Sequence, residues 1–129
     1  TAVQFHGAET SAYCASFKEA YTVIKAFRVR TPADLTRVNE YPADYLLFDS
    51  YDEAAAGGSG KAFDRKILDE FEILKPMIVS GGLTPDTVGA VITDLAPAGV
   101  DVSTGVEASP GKKDRALMGR FIQQVRRLE

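Results

Sequence analysis

Short apolar runs rich in β-branched or aromatic residues recur five times along the chain. They are VQFH from Val3, VIKAFRV from Val23, YLLF from Tyr45, MIVS from Met77 and GVDVS from Gly99. Between them the apolar residues fall at helical spacing. Ala12, Ala15 and Ala20 do so first, then Leu35 and Val38, then Ile67, Leu68 and Phe71. Val88, Val91, Ile92 and Leu95 form the fourth set, and Leu117, Phe121 and Val125 the last. Short strands alternating with such helices predict βα units on a parallel sheet. Helix starts agree. Thr84-Pro85-Asp86 reads as an N-cap, a first-turn proline and an acid at the positive end of the dipole. Thr31-Pro32-Ala33-Asp34 resembles it.

The runs begin about 20 to 30 residues apart, so eight of them would need roughly 200 residues, the lower end for a closed (β/α)8 barrel. The chain has 129. Residues 1–129 therefore read as one α/β domain of five consecutive parallel βα units, with two architectures open. One is a partial (β/α)8 TIM barrel; the other is a flavodoxin-like, open, doubly wound sheet. Strand chemistry favours the barrel. In YLLFD, Tyr45, Leu47 and Asp49 share one face, and Leu46 and Phe48 the other. In VDVS the face of Asp101 and Ser103 is polar, that of Val100 and Val102 apolar. Acids on a strand face near its C-terminal end suit a barrel interior that opens into a site.

Composition excludes several classes. With 45% hydrophobic and 26% charged residues, the chain can bury a core. The single Cys14 forms no internal bridge, which suits a reducing cytoplasm. No apolar run approaches the roughly 20 residues of a membrane span, and no signal peptide opens the chain. A pI near 5.2 argues against nucleic acid as the main partner. The opening TAVQFHG has no Met and enters a strand by its third residue, as a mature domain or a piece cut at an element boundary would.

The glycines point to phosphate. The stretch GGSGKAFD is not a nucleotide-binding P-loop, because Ala55 replaces the first glycine of that motif and Ala62 its Ser or Thr. Two strand ends are better placed. MIVS is followed by Gly81 and Gly82, and GVDVS by Thr104 and Gly105. Glycine lets backbone N–H groups close on a ligand, and barrels often hold phosphate at the loops after strands 7 and 8. Either loop alone reads as a tight turn; two in succession favour phosphate.

The words VQFHG, IKAFRV, YLLFDS, GGSGKAFD, SGGLTPDTV and GVDVSTGVEASPGKKD resemble the phosphoribosylanthranilate isomerase family of tryptophan biosynthesis, in order and spacing over nearly the whole chain. The resemblance implies that the five strands are strands 4 to 8 of that barrel, with the first three lying before Thr1. It implies an Amadori rearrangement of a phosphoribosyl aminoaldose to an aminoketose without cofactor or metal. Asp49 maps onto the general acid that opens the furanose ring. Asp101 maps close to the substrate amine. Gly60, Gly81, Gly82, Ser103, Thr104 and Gly105 map onto the substrate and phosphate site. The general base, a Cys on strand 1, has no counterpart here, nor has the Arg after strand 2 that helps hold the anthranilate. The chain alone is accordingly expected to be inactive; the alternative is a non-catalytic barrel fragment that binds phosphate only.

Other residues receive plainer expectations. His6 has no catalytic role, and Cys14, in SAYCASF, is a buried structural thiol rather than the base. KKDR and the later RR form a solvated helix face, and residues 51–63 form a lid over the site. Two unpaired strand edges, VQFH and GVDVS, predict association: a homodimer, swapped elements, a complementing N-terminal fragment, or rearrangement into a flatter doubly wound sheet. Besides such association, the expected partner is a small phosphosugar substrate, with neither nucleic acid nor membrane.

Overall fold

The computed structural model describes residues 1–49, 66–69 and 71–128. Five strands form one parallel sheet: β1 (Ala2–Phe5), β2 (Thr22–Arg28), β3 (Tyr45–Asp49), β4 (Met77–Ser80) and β5 (Gly99–Val100). Their order in the sheet is their order in the chain. That settles the architecture left open by the sequence. A flavodoxin-like sheet sets its first strand between the second and third, whereas successive neighbours in one direction trace the arc of a (β/α) barrel. β1 and β5 stand at the two margins.

Helices α1 (Ser11–Ala15), α2 (Lys66–Asp69), α3 (Val88–Leu95) and α4 (Arg115–Arg126) cross between or follow the strands. The alternation read in YLLFD is realised. Leu46 and Phe48 point to the helix side, where they pack with Cys14, Val23, Leu35, Val38 and Leu68. A second cluster joins Val79 of β4 to Val88 and Val91 of α3 and Phe121 of α4. Cys14 is fully buried, as expected, and burial pushes its thiol up from its ordinary range. α4 is held at its start by Asp114, whose carboxylate accepts the N–H groups of Ala116 and Leu117 at 2.7 and 2.9 Å.

Three expectations are corrected. PADLTRVNEY forms two 3-10 turns, Pro32–Leu35 and Val38–Glu40, not an α-helix. Asp34 does close a capping box on the Thr31 N–H at 2.8 Å, but side chains take the carbonyls beyond it. Thr36 donates its hydroxyl to the Ala33 carbonyl at 2.9 Å, Lys75 donates to the Asn39 carbonyl at 2.7 Å and Ser11 to that of Glu40 at 3.3 Å. The Thr84 cap is displaced too. Thr84 Oγ1 does accept the Asp86 N–H at 3.3 Å, but regular helix begins at Val88, after Thr87 donates its hydroxyl back to the Thr84 carbonyl. Asp86 instead pairs with Arg120 of α4 at 2.5 Å, tying the turn before α3 to α4. Finally, Lys112 and Lys113 lie in a short hairpin, β6 (Glu107–Ser109) and β7 (Lys112–Lys113), rather than on a helix. Gly111 turns that hairpin with φ +77, a conformation that glycine adopts without strain.

Phe48, 1% exposed, anchors the first cluster. Phe48→Ala is expected to lower unfolding free energy by about 3–5 kcal/mol. Urea denaturation followed by circular dichroism checks this, and a loss below about 1 kcal/mol would contradict the packing described.

Candidate functional site

In a parallel sheet every strand presents its C-terminal end to the same rim. The register sets Arg28 of β2 beside Asp49 of β3, and Asp49 beside Ser80 of β4. Asp101 continues the row. Its N–H donates to the Val79 carbonyl at 2.9 Å, and its carboxylate accepts the Ser80 hydroxyl at 3.2 Å. Arg28, Asp49, Ser80 and Asp101 thus form one polar rung across neighbouring strand ends. The sequence reading placed Asp101 in mid-strand. The strand in fact stops at Val100, so Asp101 stands just past its end, opposite Ser80 of β4.

Above this rung the two glycine loops meet. Gly81 and Gly82 leave β4 with φ +87 and +62, the left-handed region, so the chain reverses at once toward Thr84. Gly105 lies in the 3-10 turn Thr104–Val106. A Cβ on Gly105 would stand 1.7 Å from the Leu83 carbonyl oxygen, which no packing tolerates. The loops are therefore in direct backbone contact. Between them lies a cavity of about 150 Å3, lined by Asp49, Ser80, Asp101 and the residues of both loops. Of the residues assigned to the site from sequence, Asp49, Gly81, Gly82, Asp101, Ser103, Thr104 and Gly105 all line it. Gly60 and the expected lid, residues 51–63, lie outside the described residues.

Sequence reading missed what holds the second loop. Lys113 donates from Nζ to the Ser103 carbonyl at 2.8 Å and its hydroxyl at 3.3 Å, and pairs with Glu107 at 2.6 Å. Thus the second lysine of GKKD anchors the loop containing Ser103 and Thr104; the hairpin geometry needed to see this is not periodic. Lys113, joined by the Gly111 N–H, holds the Glu107 carboxyl below its ordinary value of 4.5.

A second, larger cavity of about 420 Å3 opens on the other side of Asp49, lined by His6, Gly7, Lys25, Arg28 and Tyr41 among others. His6 follows β1 and faces this space. Among the described residues no three His, Cys, Asp or Glu side chains converge on a metal position.

The loop contact and its brace give two tests. Gly105→Ala must part the loops and is expected to cost about 1–3 kcal/mol or more, whereas Gly82→Ala meets no atom and costs about 1 kcal/mol of backbone strain. Equal losses in urea denaturation would refute the contact. Glu107, depressed in the folded state, contributes above its unfolded pKa, and that contribution is lost as pH falls through the folded value. Lys113→Met is therefore expected to flatten the acid limb of the stability–pH curve below pH 4.5.

The family model described as N-(5'phosphoribosyl)anthranilate (PRA) isomerase matches residues 1–124. The N-(5'-phosphoribosyl)anthranilate isomerase of Magnetococcus marinus is 42% identical over 127 residues, which make up 98% of this chain and 60% of that protein. The phosphoribosyl anthranilate isomerase of Thermotoga maritima superposes with TM-score 0.79 at 39% identity, over 97% of this chain and 61% of that one. Another such isomerase was solved in complex with reduced 1-(o-carboxyphenylamino)-1-deoxyribulose 5-phosphate. It has TM-score 0.72 and 34% identity over 97% of this chain and 59% of its own. The chain spans about 60% of the length of the curated relatives it matches.

Proposed function

The chain belongs to the N-(5'-phosphoribosyl)anthranilate isomerase family, and from that premise we propose that it supplies the acid and the phosphate cradle of that Amadori rearrangement in tryptophan biosynthesis. The observation that carries the reading is the backbone contact of Gly105 with Leu83, which brings the two glycine loops together around a small cavity directly beside Asp49. Backbone N–H groups at such glycine turns can close on a phosphate. In this reading Gly60, Gly81, Gly82, Ser103, Thr104 and Gly105 hold the substrate and its phosphate. The relative solved with a phosphosugar analogue supports that ligand class.

The chemistry assigned to Asp49 is general acid catalysis. It protonates the furanose ring oxygen as the C1–O bond breaks and the nitrogen lone pair forms an iminium. A base then takes the proton from C2, and the electron pair becomes the C1=C2 bond of an enol that tautomerises to the aminoketone. Asp101, bonded to Ser80, faces the substrate amine. We assign the five strands to strands 4 to 8 of the family barrel, residues 1–129 forming one partial barrel domain. The base is assigned to strand 1, outside these residues. We assign the chain to the cytoplasm on the family reading and its single thiol; separately, among the described residues no helix is long and apolar enough to cross a membrane. The marginal strands β1 and β5 are assigned to pairing, either with a second copy or with a segment carrying the first three strands.

The test is turnover of phosphoribosylanthranilate, followed by substrate fluorescence, by the 129-residue chain alone and with such a segment added. The chain alone is expected to bind the product analogue without turnover. The reconstituted pair is expected to turn over, and Asp49→Asn to slow it about 100- to 10,000-fold. Turnover by the chain alone that Asp49→Asn abolishes would place the base within these residues. Turnover indifferent to Asp49→Asn would overturn the acid assignment. Light scattering that shows a monomer at every concentration would refute self-association.

A further inference from the structure

Among the described residues one charged side chain is buried, that of Lys25, 2% exposed in the middle of β2. It shares a strand face with Val23 and Phe27, on the helix side of the sheet rather than with Asp49. An ammonium withdrawn from water costs several kcal/mol unless its donors are matched. Here Nζ donates to the Gly7 carbonyl at 2.9 Å, the Ala26 carbonyl at 3.1 Å and Glu9 Oε2 at 3.1 Å, with a longer contact to the Phe5 carbonyl at 3.4 Å. The rings of Phe27 and Tyr41 flank it at 5.3 and 5.6 Å. All but one of these acceptors belong to the end of β1 and the turn that follows it.

The same turn is closed from its other side. The Gly7 N–H donates to both Glu9 carboxylate oxygens at 3.1 and 3.0 Å, and the Tyr41 hydroxyl donates to the Glu9 carbonyl at 3.2 Å. A Cβ on Gly7 would stand 3.0 Å from Glu9 Oε1, so the turn wraps tightly on the carboxylate. This turn is one wall of the 420 Å3 cavity, and Asp49 is the residue that cavity shares with the glycine cradle.

We infer that Lys25 and Glu9 are positioning residues that hold the His6–Glu9 turn as the wall facing the organic end of the ligand. The inference rests on the phosphosugar reading above. A ligand anchored by phosphate in the glycine cradle and reaching Asp49 presents its remaining atoms toward this second cavity. Lys25 and Glu9 do not line the cradle, so their loss separates recognition of phosphate from recognition of the rest.

The test is calorimetric titration of the 129-residue chain with two ligands, inorganic phosphate and reduced 1-(o-carboxyphenylamino)-1-deoxyribulose 5-phosphate. Lys25→Met and Glu9→Ala are each expected to weaken the analogue about tenfold or more, through a displaced wall. Phosphate affinity is expected to stay within about twofold, and the double variant to bind no worse than Lys25→Met, because the two residues act as one unit. Hydrogen exchange at the Gly7 amide is expected to quicken in both variants while Leu46 and Phe48 keep their protection. Equal weakening of both ligands would mean a general loss of fold and would overturn the inference. So would unchanged analogue binding in Glu9→Ala, a truncation at a partly exposed side chain that folding tolerates. An unmodified chain that took neither ligand would overturn the phosphosugar reading and this inference with it.

Discussion

Parallel pairing in sequential order is the constraint on which everything else rests. Each strand must be followed by a crossover before the next can join, and the crossover must start from the strand's C-terminal end. Every loop that follows a strand is thereby delivered to one rim. Residues as far apart in the chain as Arg28, Asp49, Ser80 and Asp101 become neighbours by register alone. The helices pay no attention to this rim; they bury Leu46, Phe48, Val79 and Phe121 on the opposite side of the strands.

The rim is built twice over. On one side of Asp49, the loop geometry depends on glycines: Gly81 and Gly82 turn through the left-handed region, and Gly105 lets one loop rest on the carbonyl of the other. On the other side, a buried cation gathers carbonyls. Lys25 draws the end of β1 and its turn against β2 with bonds to Phe5, Gly7 and Glu9. A cation inside a core is tolerable only with such a full set of acceptors, and a full set is rigid. Lys113 repeats the device at the surface, gripping Ser103 from the hairpin while Glu107 balances its charge. Lysines therefore position both walls of the site without entering the cradle.

The resemblance of words such as SGGLTPDTV and GVDVSTGVEASPGKKD, the family match over residues 1–124 and the strand order agree on the same architecture. They rest on different physics. The words reflect local turn geometry at the strand ends, and the strand order reflects how successive crossovers stack. Asp49 is where the two meet, last residue of β3 and shared wall of both cavities.

Period-2 and helical spacing were enough to determine, from sequence alone, that five βα units follow one another and which residues of YLLFD share a face. Glycine position was enough to mark the two loops. These are local properties, set by one residue and its near neighbours. The sequence did not determine where β5 ends, nor that PADLTRVNEY would break into 3-10 turns while Ser11 and Lys75, distant in the chain, take the Glu40 and Asn39 carbonyls. It left barrel arc and doubly wound sheet open, since both share the same local pattern. Tertiary structure alone decided the strand order, the contact of Gly105 with Leu83, and the burial of Lys25. Each of these joins residues distant in the chain, and a lysine among valines shows its partners only when the carbonyls of another strand close around it.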